Sequence, residues 1–569
     1  MARPKTPPAP PTAQQLRLLS GCLALAVLLV FANCLLNTFV WDDEQFIVKN
    51  AFLTSPSFLP KLLTSNVVAG AGLVSNLYRP LPSLTHFLDV QLWGYRPWAH
   101  HLSTVLYHAA ASVAVFRLLA SLAPAWPAAI ATALFSLHPM QSEAVAYACG
   151  RVDSLAILFI CLGLLSSERH RWLSLLFAAL AMATKEHAAL FPAFLFLYDR
   201  AAKRPSTFRR HLPFWLLSGA YVVARLTVLN FQNTLNFYNQ PNLLTEHPLL
   251  RLYTYLTTLP KGLWLWVWPT DLHHERSWSV ATSFGLPQVW GSALLVAGLL
   301  GLAVWSWRRG RRLAAVGIAW FFVATLPTSN LLVLINALFY DHWFLLPGLG
   351  LAMVVAEAVA VWLDGPVFLR RATAAVSLTA VMALSAMTLH DNALWRTPLT
   401  LYRYILSREP TSAKIHNNLA MAYADDGDFR EAIRFYREAI RLDDEFPQTH
   451  HNLANAYLAL SDEGRALEEF RRAVAMDPRF YHSWVGLGAI ALKRHQPDAA
   501  RDAFERALRA YPYATEAYLG LAQVHLAQGD RRAALAVLQA GLSAQPHHPR
   551  LQAALERLLT RPPHPPPPR

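Results

Sequence analysis

A chain of 569 residues exceeds one ordinary domain. Its hydrophobic fraction of 54% and charged fraction of 15%, against roughly 25% charged in soluble domains, together with a mean hydropathy of +0.26, exclude a wholly soluble protein. The net charge of +14 does not argue for nucleic acid, because the cations cluster in short links between apolar runs, where the positive-inside rule accounts for them. Cys22, Cys34, Cys149 and Cys161 form no CxxC, so neither a disulfide framework nor a zinc site follows from them.

Residues 1–15 are Pro-rich and expected to be disordered. The run Leu16–Leu36 then reads as an uncleaved membrane anchor. Further apolar runs fall near 100–121, 127–148, 152–167, 172–184, 187–199, 212–229, 288–307, 313–329, 343–363 and 372–389, about eleven spans in all. The basic links Arg169/Arg171, Arg200–Arg210, Arg308–Arg312 and Arg370/Arg371 fall on one side if the N-terminus is cytoplasmic. That requires Leu252–Trp268 to lie at the interface or re-enter. It also places loops 37–99, 230–287 and 330–342, and everything after the last span, on the non-cytoplasmic side.

Polar stretches interrupt the apolar pattern on that outer side. Trp41-Asp42-Asp43-Glu44 follows the first span directly, and carboxylates at a membrane exit are either a hydrated stop or a functional site. Consecutive side chains diverge, so one of Asp42 and Asp43 is expected to act as base and the other to orient it, bind a metal or pair with a cation. Asp42 is favoured as base because it follows Trp41, an interfacial anchor. Arg79, in Tyr78-Arg79-Pro80-Leu81, is a planar fork suited to phosphate oxygens, or else a solvated loop cation. His101 and His108 lie two turns apart on one helix face, where buried structural histidines are common. His138, Gln141, Glu143, Arg151 and Asp153 crowd the next outer turn. There an internal ion pair and a substrate role are both open. Lys185-Glu186-His187 and Asp341-His342-Trp343 repeat the arrangement. No P-loop, GxSxG or HExxH occurs, so nucleotide, serine and zinc-peptidase hydrolysis have no support. Carboxylates facing cations at a bilayer surface suit transfer from a lipid-linked phosphate: Arg79, Arg151 and Lys185 would take the phosphate charge and a carboxylate the acceptor proton.

After residue 391 the texture changes to amphipathic helices with a 34-residue period. Units starting at Ala413, Pro447, Tyr481 and Thr515 align without gaps, which is the tetratricopeptide (TPR) length. Small residues recur at Ala420, Ala454, Gly488 and Ala522, and at Ala432, Ala466, Ala500 and Ala534. Asn418 and Asn452 occupy equivalent inner positions and could hold an acceptor peptide by its backbone, although Asn there is also ordinary TPR usage. The fold expectation is all-α: a polytopic membrane domain (16–391), a TPR α-solenoid (392–559, with caps around 413–548) and a Pro-rich tail (560–569).

The ordered set Trp41-Asp42-Asp43, Tyr78-Arg79-Pro80-Leu81, His101/His108, His138-Pro139-x-x-x-Glu143-Ala144-Val145, Gly150-Arg151-x-Asp153, Lys185-Glu186 and Asp341-His342-Trp343, followed by TPRs, resembles the transmembrane-and-TPR protein O-mannosyltransferases and their bacterial relatives. These are C-type (GT-C) multi-spanning glycosyltransferases. The resemblance implies an inverting transfer of mannose from a polyprenyl phosphate to Ser or Thr hydroxyls. Asp42 or Asp43 would match the family's first-loop acids, and His101, His138, Glu143, Asp153, Glu186, Asp341 and His342 would support the site. Gln141 stands where relatives often carry His, and Asp341 where they often carry Glu. The lipid-linked sugar is the expected cosubstrate. A divalent cation, Mg or Mn, is the one cofactor considered. Transfer to a glycolipid or polysaccharide, and a non-enzymatic membrane-anchored TPR scaffold, are the alternatives. The expected partners are a membrane lipid donor and a secreted or envelope protein. The expected setting is a bacterial inner membrane with periplasmic TPRs, or the ER membrane with lumenal TPRs in a eukaryote.

Overall fold

The computed structural model describes residues 12–231, 242–335, 337–546 and 548–560. It contains helices and no strand among the described residues. Two compact units emerge, Met1–Leu401 and Tyr402–Arg569. The boundary falls beyond the expected residue 391, past the last apolar helix, Val367–Leu394, and inside helix Pro398–Arg408.

In the first unit, helix Ala13–Val30 starts inside the stretch expected to be disordered. The Thr12 hydroxyl caps it by accepting from Gln15 N at 3.1 Å, satisfying one of the orphan amides of a helix start. Residues 1–11 lie outside the described set, as do 561–569 of the expected tail. Among the described residues, six helices are long and apolar enough to cross a membrane: Ala13–Leu36, Pro97–Ala120, Ala148–Ser166, Pro287–Arg308, Asp341–Leu363 and Val367–Leu394. This is a multi-pass membrane protein. Three shorter apolar helices, Ala125–Ser136, Arg171–Met182 and Arg312–Thr328, accompany them. Helix length and composition thus account for six of the eleven expected crossings. The run expected at 127–148 ends as a helix at Ser136 and continues as short turns. Helix Pro248–Val267, interrupted by Pro260, is not among the six.

Close approach inside this unit depends on small residues. Gly317 and Gly350 face each other's carbonyl where helices Arg312–Thr325 and Leu345–Leu363 cross, with no room for a Cβ on either. The exit of the first span is tied to the end of the last. Asn392 Nδ2 donates to Asn33 Oδ1 (3.0 Å) and Val30 O (3.2 Å), and Asn37 Nδ2 donates to Ala146 O (2.8 Å). Thr38 N donates to Arg396 O at 3.0 Å. These bonds fix where the chain leaves the first helix, and therefore where residues 41–43 stand.

The second unit is a run of helix pairs, Ala413–Asp425 with Phe429–Leu442, Pro447–Ala459 with Glu463–Met476, Tyr481–Lys493 with Pro497–Ala510, and Thr515–Ala527 with Arg531–Ala544. Helices Pro398–Arg408 and Pro549–Thr560 flank it. The pair starts coincide with the 34-residue register. Ala420, Ala432, Ala454, Ala466, Ala500 and Ala534 are fully buried at the helix crossings. The turn inside each pair needs one left-handed residue, supplied by Gly427 (φ 83°), Ser461 (φ 63°), His495 (φ 55°) and Gly529 (φ 79°). Asp428, Asp462 and Asp530 cap the second helices of their pairs.

Candidate functional site

The two adjacent acids at the exit of the first span have different environments. Asp43 is fully buried. Its Oδ1 accepts from Cys149 N (2.8 Å), and its Oδ2 accepts from Ala148 N (3.3 Å) and Val40 N (3.2 Å). Burial nevertheless outweighs these bonds and pushes its carboxyl up to about 6. With both oxygens held by backbone, Asp43 pins the loop to the 148–149 turn and presents no face to an acceptor. Of the three roles expected for the neighbour of the base, this environment suits orienting it; no cation pairs with Asp43 among the described residues. Asp42 is only half-buried, and no hydrogen bond or ion pair engages its carboxylate among the described residues. Trp41, immediately before it, takes a left-handed φ of 56°, which costs a non-glycine residue about 1–3 kcal/mol. Its ring stands edge-on to His274, with centroids 4.2 Å apart.

His274 belongs to a cluster that the sequence did not reveal as a whole. Glu143 sits in the short helix Ser142–Val145, which can lie against the next turn because Gly150 has no side chain; a Cβ there would stand 2.7 Å from the Glu143 carbonyl oxygen. Glu143 Oε1 meets Nδ1 of His274 at 2.5 Å and Nδ1 of His342. Its Oε2 accepts from the backbone N–H of His342 at 3.2 Å. Burial alone would raise the Glu143 carboxyl, but the two imidazoles hold it well below the usual carboxylate range. The loop carrying His274 is held in turn by Asp341. Arg276 Nε and Nη2 grip the two Asp341 oxygens at 2.6 and 3.0 Å, and His273 N donates to Oδ2 at 3.1 Å. Arg276 and Lys261 also share Asp271, at 3.1 and 2.8 Å. These partners hold the Asp271 carboxyl, against burial, at about 2. Asp341 therefore positions its neighbours and does not itself face open space. A carboxylate one methylene shorter than the family's Glu is matched here to the Arg276 fork.

The expected phosphate cations divide. Arg79 pairs with Glu186 at 3.1 Å, and Lys185 with Asp153 at 2.5 Å. Both pairs are mostly buried, yet among the described residues Arg79 Nε and Glu186 Oε1 have no hydrogen-bond partner. Buried His187 likewise has none there at either ring nitrogen, and the charges of Lys185, Arg79 and His342 act on it. Tyr147 is within reach of the charges of Asp42 and Glu143 and itself acts on Arg79, so acids and cations converge on one region. Arg151 is not part of it. Fully buried, it donates to Asp89 Oδ2 (2.6 Å), Thr85 (3.3 Å), Thr104 (3.2 Å) and the carbonyls of His100 (2.8 Å) and Ala148 (3.1 Å). All three of its nitrogens are engaged in joining three helices, which corrects its expected role at the donor phosphate.

His101 and His138 both bond backbone groups, and the buried Nδ1 of His101 has no hydrogen-bond partner among the described residues. His101 Nε2 bonds Thr38 O at 3.3 Å. His138 accepts from Met140 N (3.2 Å) and donates to Trp266 O (3.2 Å). His108 bonds Ser136 O (2.9 Å) and Ser154 (3.2 Å), and Gln141 donates to Phe135 O (3.1 Å). A second carboxylate–imidazole group, His86, Asp89 and His100, already holds the Arg151 cation and is not free for a metal. In the TPR unit, Asn417 Nδ2 donates to Asn418 Oδ1 (3.2 Å) and Asn452 Nδ2 to Asn417 Oδ1 (3.4 Å), so the asparagines of the first two pairs engage one another. The ladder ends at Gly486 and Gly520 for a packing reason. The Phe470 ring lies 2.6 Å from where a Cβ would stand at Gly486, and the Phe504 ring crowds Gly520 more closely still.

Comparison with known proteins agrees with this architecture. Tetratricopeptide repeat families match residues 411–479, 451–515 and 491–558. Protein O-mannosyl-transferase F38B6.6 of Caenorhabditis elegans is 24% identical over 433 residues, 73% of this chain and 61% of its own length. Over about seven-tenths of its length the chain is similar to proteins named protein O-mannosyl-transferases. Homo sapiens Protein O-mannosyl-transferase TMTC3 is 24% identical over 69% of this chain and 48% of its own. Drosophila melanogaster Tmtc1 reaches 35% identity, over 30% of this chain and 21% of its own. The chain spans less than two-thirds of the length of these relatives. Sequence reasoning missed His274, Arg276 and Asp271, in a segment without periodicity, and Asp89, which lies inside a helix. His187 was visible beside Lys185-Glu186 but not marked.

Proposed function

We propose that this protein is an integral-membrane glycosyltransferase that moves a sugar, mannose by kinship, from a polyprenyl phosphate to Ser or Thr hydroxyls of proteins on the non-cytoplasmic side. The observation that carries the reading is Asp42: one half-buried carboxylate without a partner, beside a strained tryptophan at a membrane exit, next to buried cations with unused donors. In the reaction, Asp42 takes the proton of the acceptor hydroxyl while its oxygen attacks the anomeric carbon. The bond from that carbon to the phosphate oxygen breaks with its electron pair, and the configuration inverts. Arg79, through Nε, and Lys185 receive the phosphate, with His187 as a further donor on the same side. Arg79 can do so without releasing Glu186, since the salt bridge uses only one of its nitrogens. Asp43 holds Asp42 in place by fixing the loop to residues 148–149.

The TPR unit binds extended segments of the acceptor, and its asparagines offer both donors and acceptors to a peptide backbone. The setting proposed is a bacterial inner membrane with the TPRs in the periplasm. The test is transfer of labelled mannose from a synthetic polyprenyl-phosphate mannose to peptides in proteoliposomes. The expected result is a labelled, base-labile Ser or Thr adduct. Label appearing only in a lipid or polysaccharide fraction would replace the protein acceptor with a glycolipid or polysaccharide one. No transfer to any acceptor from a folded protein would sink the enzyme reading.

A further inference from the structure

We infer that Glu143, His274 and His342 form a transition-metal site with an open position. Three side chains from three separate segments bring one ligand atom each, Glu143 Oε1, His274 Nδ1 and His342 Nδ1, all within 4.8 Å of one another. All three residues are buried or nearly so. Two imidazoles aimed at one carboxylate oxygen make a crowded hydrogen-bond arrangement. A cation among the three atoms would use the same convergence, with each imidazole offering a lone pair.

The surroundings resemble the support of a metal site more than that of a lone ion pair. Asp341 bonds His273 N and Arg276, which fixes the segment on either side of His274 and also the residue preceding His342. Glu143 Oε2 is occupied by His342 N, which orients Oε1 inward. Outer partners of this kind fix ligand geometry in metal sites. The cation is also wanted for charge. Asp341 is matched by Arg276, Glu186 by Arg79 and Asp153 by Lys185. Glu143 has only imidazoles, and Asp42 has no partner.

Ligand chemistry narrows the ion. Two imidazole nitrogens and one carboxylate oxygen suit Zn²⁺, Mn²⁺, Fe²⁺ or Co²⁺, whereas Mg²⁺ favours an all-oxygen shell. Three protein ligands leave at least one position for an exogenous oxygen, as in catalytic rather than structural zinc sites. If the proposed glycosyl transfer holds, that position takes an oxygen of the departing phosphate. Existence of the site does not depend on that reaction.

The test uses the full chain purified in detergent. The chain is stripped with a chelator and then offered Zn²⁺, Mn²⁺ or Co²⁺ singly. Retained metal is read by elemental analysis, and Co²⁺ by its visible ligand-field bands. The expected result is about one ion per chain, with Co²⁺ bands showing nitrogen ligation. Retention should be lost in His274→Ala and His342→Ala and kept in His451→Ala of the TPR unit. Asp341→Asn should weaken affinity by about 10–100-fold while leaving the ligands in place. If His274→Ala does not fold, His342→Gln and the wild-type cobalt spectrum decide alone. A monodisperse wild-type protein that retains none of the three ions, or retention unchanged in both His342→Gln and His342→Ala, would overturn the site and leave a hydrogen-bonded imidazole–carboxylate group. Metal bound without transfer activity would refute the reaction and not the site. Transfer by metal-free protein would refute only the role at the phosphate.

Discussion

Replacing Asp43 by Asn separates the anchoring acid from the reacting one, and pH is the lever. The Asp43 carboxyl moves from 3.8 to about 6 on folding, so the folded state holds its proton more tightly than the unfolded chain. Its ionisation therefore destabilises the fold progressively as pH rises through that interval, and the penalty is flat above about 6. At about 1.4 kcal/mol per unit, the penalty is ~3 kcal/mol at pH 7 and ~1.5 kcal/mol at pH 5. An asparagine carries no such penalty at either pH. It gives up what one oxygen accepts, either the Cys149 amide or both the Val40 and Ala148 amides, for about 1–3 kcal/mol. At pH 7 the two effects nearly offset, so Asp43→Asn should fold. Reversible unfolding in mixed detergent micelles at pH 7 and pH 5 measures the difference. The wild type should gain ~1.5 kcal/mol more than the variant on acidification. Turnover of the variant should stay within about tenfold, because the acid that reacts is the other one. An identical pH response in wild type and variant would refute the burial argument. A loss of turnover as deep as that expected for Asp42→Asn would make Asp43 the base.

Asp42→Asn should lower turnover by about 10²–10⁴-fold with donor affinity and thermal stability unchanged, read in the peptide transfer assay. Arg79→Lys should keep the fold and weaken donor binding, since a point charge replaces the planar fork; unchanged donor KM would return Arg79 to a purely structural role. Arg151→Met should destabilise the membrane unit by about 3–5 kcal/mol, because it strands Asp89 as a buried uncompensated charge, and Arg151→Met with Asp89→Leu should recover much of that loss, both read by unfolding in mixed micelles. Gly486→Ala should destabilise the TPR unit by about 1–3 kcal/mol through overpacking against Phe470, measured by thermal denaturation of the full chain followed at TPR-sited probes.

The repeats were legible to the residue. Their 34-residue period, the small residues at helix crossings and the left-handed position at 427, 461, 495 and 529 are local properties that each unit must satisfy for itself. The acids and cations of the outer turns were also legible, because charge inside an apolar pattern stands out. Their pairing was not. Arg151 and Arg79 look alike in sequence, each an arginine at an outer turn. One meets Asp89 inside a helix bundle and the other meets Glu186 beside unused donors. Those partners lie 62 and 107 residues away, beyond any periodic signal. The split between Asp42 and Asp43 has the same origin, since the amides that hold Asp43 come from residues 148 and 149. The apolar runs did not map one to one onto long helices for a related reason. An apolar run such as 127–148 combines a short helix with buried turns, and hydropathy does not distinguish turns packed in protein from helix packed in lipid.

Charge balance ties the site together. Three cations around it are already shared: Arg79 with Glu186, Lys185 with Asp153, and Arg276 with Asp341 and Asp271. Among the described groups, Asp42, Asp43 and Glu143 are acids without a fixed cation, and backbone amides hold Asp43. A phosphate-bearing donor brings further negative charge to this place. Two like charges about 4 Å apart at an effective dielectric of about 20 repel by roughly 4 kcal/mol, enough to cost several hundredfold in affinity if nothing answers them. The paired cations cannot answer in full, because each is already shared with a carboxylate. What remains is the imidazole group around Glu143, either by taking up protons or by holding a metal ion. A metal-based answer would respond to chelators, and a proton-based one would not. The same geometry that leaves Asp42 free to accept a proton thus requires a positive partner a few residues away, and Glu143, His274 and His342 are where the structure can hold one.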